Sequence, residues 1–388
     1  MPPVSELDRK EIAVQLLSMD VDEDYLSPQR EVVPSTLALA AAPEIPFPDE
    51  LQPMPQVLEE EPSPDDPLPK ADVAVITWTV AEHRALADVL TPGYPAKSWY
   101  RYTRNYDAYK PKIRSGAPAD KGHRLGTYFR TKVGDKTVLC FKSELHLHQD
   151  SIEDPNKPGT ATLPVKDLFH QMIKEVQPKW FLTAGTAGGT YGDHCLGDVT
   201  VTRAAKFRLN EEFRNEPFAG HIYRSEWEIP TTRFDECLGI MKGFSRNLVE
   251  PAFAPPTKRY QFAGGPIPPP SNTPHIRMEG TGGIPEFHPI LTTDSFEFGT
   301  SANHLEKEGI AVEMGDAVLG MVADELGDAA PKWGVIRNLS DPQINGDLPS
   351  QPRLINMQTH WAVWYYETYG YWTSLMGGLV TWAVIAGL

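Results

Sequence analysis

The hydrophobic pattern becomes that of a folded domain after Ala71. Val73–Ile76 is a short, apolar, β-branched run that predicts a buried strand, and Ala81–Leu90 follows with helical spacing. Lys136–Phe141 predicts a second strand. Across residues 164–176 the apolar positions Val165, Leu168, Phe169, Met172, Ile173 and Val176 recur at i, i+3 and i+4, giving a helix with one apolar face. Pro164 suits the first helical position, and Pro178 ends the helix. Trp180–Ala184 reads as a strand running into a glycine turn, and Asp198–Thr202 as another strand. Ile310–Val312 leads into a helix over Asp316–Leu326, and Gly334–Ile336 reads as a late strand. Strands alternating with helices predict a mainly parallel sheet with helices on both faces.

The flanks differ from this core. Residues 1–70 hold 13 prolines, 16 acids and 4 bases, a net of −12, and show no sustained apolar period from about Ser27. Such a stretch buries too little apolar surface to offset its ordering entropy, so it reads as a mobile tail, with one short helix over 6–19. It serves either as a solvated spacer or as a docking arm. Residues 206–290 are rich in proline and glycine and read as a long insertion rather than a second core; 97–130 is a second, looser insertion. After Glu367 come 21 uncharged residues, enough to cross a bilayer. Four glycines and the lack of a basic flank favour a buried terminal helix over a tail anchor at 368–388.

Composition narrows the class. A chain of 388 residues, 40% apolar and 23% charged, is neither a disulfide-stapled miniprotein nor fully disordered. A net charge of −16 argues against nucleic acid as partner. Cys140, Cys195 and Cys237 are widely spaced and fit unpaired thiols in a reducing compartment, and MPPVSELDRK lacks the features of a secretory signal, so a cytoplasmic location is expected. Between Lys97 and Lys136, 11 bases face 3 acids, with tyrosines and Trp99 interleaved. That segment is a solvated loop, a subunit interface, or an electropositive wall on which Arg101 and Arg104 take substrate phosphates.

Five stretches carry candidate chemistry. Glu82 follows the first strand, where a carboxylate serves the helix dipole or a site at the strand's carboxyl end. Gly185-Thr186-Ala187-Gly188-Gly189 serves as a tight turn or as a ligand cradle, and it matches neither GxGxxG nor a Walker loop. Phe296, beside Asp294 and Glu297, is a core residue or stacks on a flat base. Glu313, Met314 and Asp316 open a helix. Arg337, Ser340 and Asp341 end a late strand, where an aspartate caps a helix or acts as a general acid.

Their order and spacing resemble the purine nucleoside phosphorylase and nucleosidase superfamily, and within it the methylthioadenosine/S-adenosylhomocysteine nucleosidases. The matching text is GTAGG…GDV, the helix start containing Glu313-Met314, and the strand ending Arg337-x-x-Ser340-Asp341, within residues 72–388. The resemblance implies a three-layer α/β/α sandwich around a twisted mixed sheet, assembled as a homo-oligomer and needing no cofactor or metal. It implies that Glu82 activates water and that Thr186 and Gly188 lie by the ribose and base. It further implies that Phe296 stacks on the purine, that the Glu297 backbone faces the base edge, and that Met314 lies under the sugar. Ser340 and Asp341 then hold and protonate the purine's imidazole ring, with Arg337 supporting the strand end.

Cleaving an N-glycosidic bond needs a protonated leaving base and a nucleophile on the opposite face of the sugar, roles that suit Asp341 and Glu82. The resemblance favours water over phosphate, because Thr183 stands where the phosphorylases carry an arginine. One departure is Gly315, which replaces the carboxylate expected on the ribose hydroxyls. Either Asp316 substitutes for it, the sugar lacks a hydroxyl, or catalysis is impaired. The expected activity is hydrolysis of a purine nucleoside or nucleotide to the free base. The alternatives are phosphorolysis and a non-catalytic nucleotide-binding scaffold.

Overall fold

The computed structural model describes residues 42–147, 151–154, 156–248, 273–350 and 357–388. The helix expected over 6–19 lies outside them.

The organising element is β6 (Trp180–Gly189), which pairs in parallel with β13 (Lys332–Asp341) along nearly its whole length, to Gly188↔Asp341. On its other edge β6 first meets β2 (Val73–Thr77), in parallel over Trp180–Thr183. Farther on, the same edge meets β12 (Ala311–Glu313), antiparallel at Gly188–Gly189. Residues 184–187 of β6 lie between these two partners with no strand beside them on that edge among the described residues. β2 and β12 therefore run toward one gap from opposite directions, and their ends deliver side chains into it.

Outside β2 lie β5 (Lys136–Ser143), parallel to it, and β4 (Gly126–Val133), antiparallel to β5. Two short strands, β1 (Met54–Gln56) and β3 (Tyr100–Tyr102), close that edge on β4. Beyond β12 lie β11 (Ile290–Thr293), β8 (Ala204–Arg208) and β9 (Ile222–Arg224). β7 (Val199–Thr202) and β10 (Ile276–Met278) extend from β13. The sheet is mixed rather than mainly parallel: a two-residue turn joins antiparallel β4 and β5, and a longer loop joins antiparallel β8 and β9.

Helices cover both faces. α1 (Val80–Leu90), α3 (Phe234–Phe244) and α5 (Met357–Gly387) lie on one, α2 (Pro164–Val176) and α4 (Asp316–Leu326) on the other. The period of the strands divides the two cores. Val73 and Val75 face α1 and α5, while Ala74 and Ile76 face the α2 side. The result is the three-layer α/β/α sandwich with a mixed central sheet.

Three expectations need correction. The glycine turn after Trp180–Ala184 is strand: β6 continues through Gly189 because β13 and β12 pair with it to the end. Residues 42–70 are not a free tail. Trp382 Nε1 donates to the Leu51 carbonyl at 2.8 Å, Phe47 packs on Trp382 with ring centroids 4.9 Å apart, and Leu68 is buried. A proline-rich segment without internal periodicity here takes its partners from the body instead of from itself. Finally, parts of 206–290 belong to the sandwich, since β9 pairs with β8 and α3 packs on α5.

The terminal apolar run is a buried helix. Its glycines permit close packing: a β-carbon at Gly377 would lie 2.6 Å from Asn338 Oδ1, and one at Gly378 3.1 Å from Val89 Cγ2. No helix among the described residues is long and apolar enough to cross a membrane.

Candidate active site

A cavity of about 670 Å³, part of it open to solvent, occupies the gap beside residues 184–187. That is within the range of small-molecule sites. Glu82 and Asp341, 259 positions apart in the chain, both line it, together with Thr186, Gly188, Phe296, Glu297, Met314, Arg337 and Ser340. The strand rise of about 3.3 Å per residue puts Gly185 and Gly188 roughly 10 Å apart along β6. A β-carbon at Gly185 would lie 2.8 Å from Glu82 Oε1 and 2.5 Å from Arg337 Nη1, and one at Gly188 2.9 Å from Asp341 Oδ2. The glycines thus serve close approach by charged groups at the two ends of the cavity.

Glu82 sits in the first turn of α1, where it forms a reciprocal cap with Thr79. Its Oε2 accepts from Thr77 Oγ1, Trp78 N and Thr79 N, each at 2.9 Å. Its Oε1 accepts from the Thr186 amide and hydroxyl, both at 2.7 Å. Five donors, and among the described residues no acceptor, meet its two oxygens and fix the side chain in place. One residue therefore caps a helix, ties α1 to β6 and faces the cavity.

Arg337 Nε donates to Asp316 Oδ2 at 2.8 Å, and Nη2 donates to Asp316 Oδ1 and to Glu313 Oε2, the latter at 3.2 Å. The guanidinium lies 4.7 Å from the Trp78 ring centroid, a cation–π contact. Glu313 also accepts from Thr292 Oγ1, from Gly315 N at 2.5 Å and from Asp316 N at 3.0 Å. Burial and the neighbouring Asp316 charge push the Glu313 pKa up, with Arg337 opposing. Four donors nevertheless face its oxygens, the arrangement of a carboxylate. Glu82 and Asp316 already outnumber Arg337 by one charge whichever protonation state Glu313 holds, so this end of the cavity is anionic.

Asp341, at the far end, differs in kind. Burial pushes its pKa from 3.8 up to about 7, while the Ser340 hydroxyl, donating to Oδ1 at 2.9 Å, pulls it down. No hydrogen bond reaches Oδ2 among the described residues. This carboxyl holds a proton near neutral pH and has an oxygen available to a ligand. Introducing a methyl group at Gly188 presses on that oxygen. Gly188→Ala is expected to lower turnover by up to about 10²-fold with little change in melting temperature, because the contact is with the end of one side chain. An unchanged rate would separate Asp341 from the chemistry.

Two expectations fail. Asp316 does not line the cavity: fully buried, it turns to Arg337, and Glu313 is the carboxylate presented beside Met314. Arg101 and Arg104 do not line it either. Arg101 Nη2 donates to the Gly122 carbonyl at 3.0 Å, and Arg104 donates to the Asp65 carbonyl at 2.9 Å and pairs with Glu175 at 3.1 Å. Arg101 thus holds the 97–130 segment to itself and Arg104 ties it to residues 65 and 175, and neither forms a phosphate wall on this cavity. Among the lining residues four carboxyl groups face one guanidinium, a poor host for phosphate.

The cavity also contains Trp78, His146, Val312, Glu313, Ala362 and Tyr366. Trp78 and Glu313 adjoin strand ends that the apolar pattern locates, so their position was a usable signal. Ala362 and Tyr366 come from α5, and nothing in their local text marks them. The Glu297 carboxylate is held by Arg208, with Nη2–Oε1 at 3.0 Å, which steadies the segment carrying Phe296.

No protein-family model matches the chain, and no curated protein matches it. Among solved structures, it is similar to the 5′-methylthioadenosine/S-adenosylhomocysteine nucleosidase of Neisseria meningitidis, at 13% identity and a TM-score of 0.41, covering 81% of this chain and 99% of that one. It is also similar to the enzyme of the same name from Streptococcus pneumoniae, at 13% identity and a TM-score of 0.42, covering 82% and 100%. Futalosine hydrolase of Helicobacter pylori is similar at 11% identity and a TM-score of 0.42, covering 80% and 96%. These include the nucleosidases that the sequence motifs resemble.

Proposed function

We propose that the protein hydrolyses the N-glycosidic bond of a purine nucleoside, releasing the free base. The observation that carries this reading is one cavity lined by Asp341, a buried carboxyl whose pKa burial pushes up to about 7, at one end and by the acids gathered around Arg337 at the other. As the glycosidic bond stretches, electrons flow to the base and positive charge develops on the sugar. Asp341 supplies the proton the base needs. The negative charge of Glu82 and Asp316 in excess of Arg337 stabilises the positive charge on the sugar, and it is set in place before the reaction begins. Phe296 offers an aromatic face to the base.

Water is the nucleophile that fits. Arg337 is committed to Asp316 and Glu313, Thr183 is buried away from the cavity, and an anionic wall repels phosphate. With its oxygens engaged by five donors, Glu82 aligns water and stabilises the sugar cation more readily than it removes a proton.

The test is chromatographic detection of free base from a panel of purine nucleosides, with and without phosphate. Free base and free sugar, formed at a rate independent of phosphate, are expected. Sugar phosphate formed only when phosphate is present would indicate phosphorolysis. A raised melting temperature with no free base from any nucleoside would indicate a binding protein.

A further inference from the structure

At the sugar end of the cavity the two lining carboxylates, Glu82 and Glu313, are heavily occupied. A carboxylate offers about four lone-pair sites. Glu82 receives five protein donors and Glu313 four. Asp341 Oδ2, the unoccupied carboxyl oxygen, is at the opposite end, against Gly188. Beside Glu313 the wall carries an apolar patch, bordered by the His146 ring, whose centroid is 6.4 Å from that of Trp78. Trp78 Cζ2 lies 3.5 Å from where a β-carbon of Gly315 would stand, and Val312 and Met314 complete the wall.

We infer that the cavity selects 2′-deoxyribosides of purines over ribosides, an inference that rests on the nucleosidase reading above. A ribose brings a vicinal diol, two donors, to a wall whose carboxylates are already engaged. Placing a hydroxyl on either carboxylate displaces a protein donor or leaves that hydrogen bond unmade. An unmade hydrogen bond of this kind corresponds to roughly tenfold or more in affinity. The chemistry agrees. The 2′-hydroxyl withdraws electrons from the sugar cation, so a deoxyriboside cleaves with less help from a base. A Glu82 held as a fixed anion suits that easier departure.

Deoxyribosides are intrinsically more labile, so binding and not rate is the deciding quantity. Dissociation constants of 2′-deoxyadenosine and adenosine are measured calorimetrically on Asp341→Asn, whose altered base contact is common to both ligands. In parallel, wild-type protein is assayed for adenine release from each. The expected result is tighter binding of 2′-deoxyadenosine by about tenfold or more, with adenine released by wild type. Equal or tighter binding of adenosine, with adenine still released, would overturn the sugar preference and leave the nucleosidase reading standing. Absence of free base from every purine nucleoside would overturn that reading and the preference with it.

Discussion

Asp341→Asn is expected to lower the rate of base release by about 10²–10⁴, roughly 3–5 kcal/mol of barrier, while nucleoside affinity changes little. Asparagine fits the same space but cannot hand a proton to the base. For wild type the sign of the pH effect follows from the raised pKa. Asp341 must be protonated to act, so kcat/KM is expected to fall as pH rises through about 7. The stability effect has the opposite consequence for the variant. The native state holds its extra proton between the ordinary 3.8 and about 7, so the contribution of Asp341 to stability declines across that window and is least above it. Three pKa units correspond to about 4 kcal/mol at most. Asp341→Asn is therefore expected to be slower but more stable than wild type at pH 8, as denaturant midpoints and base release measured together will show. A variant both slower and less stable at that pH would contradict the burial argument.

Arg337→Leu has the largest expected effect on folding. It leaves Asp316, fully buried, and Glu313, 5% exposed, without their cation. Breaking a buried pair by removing one partner typically costs about 3–5 kcal/mol, since the remaining charge is desolvated and uncompensated. Trp78 loses its cation–π partner as well. Urea denaturation should show the loss, and Arg337→Leu combined with Asp316→Leu should recover much of it, because both charges then leave together. A single-variant loss below about 1 kcal/mol, the range of exposed pairs, would mean that the cluster is solvated and not the fixed anionic wall described here.

Much of this was legible in the residues. The helix over 164–176 follows from its i, i+3, i+4 apolar face and its two prolines, and the strand at 73–76 from its β-branched run. Glu82, Thr186, Gly188, Phe296, Glu297, Met314, Arg337, Ser340 and Asp341, singled out from separate motifs, line one cavity. The misses have physical causes. Gly185–Gly189 looks like a turn because local text carries only the glycines; the reason for them is the approach of Glu82, Arg337 and Asp341, which are distant in sequence. Asp316 lies one residue beyond Gly315 and so looked able to reach the sugar, but as the first residue of α4 it meets Arg337 across the sheet instead. Arg101 and Arg104 belong to a charge run whose sign suggested phosphate; their partners, Gly122 for the one and Asp65 and Glu175 for the other, are set by tertiary packing. Residues 42–70 have the composition of a disordered segment and are held by contacts such as Leu51 with Trp382, 331 positions away.

The most direct test is a crystal structure with bound adenine. The base should lie beside Phe296 with an imidazole nitrogen within hydrogen-bonding distance of Asp341 Oδ2, leaving space for a sugar between it and Glu82. Adenine bound elsewhere, or turned so that no ring nitrogen meets that carboxyl, would contradict it.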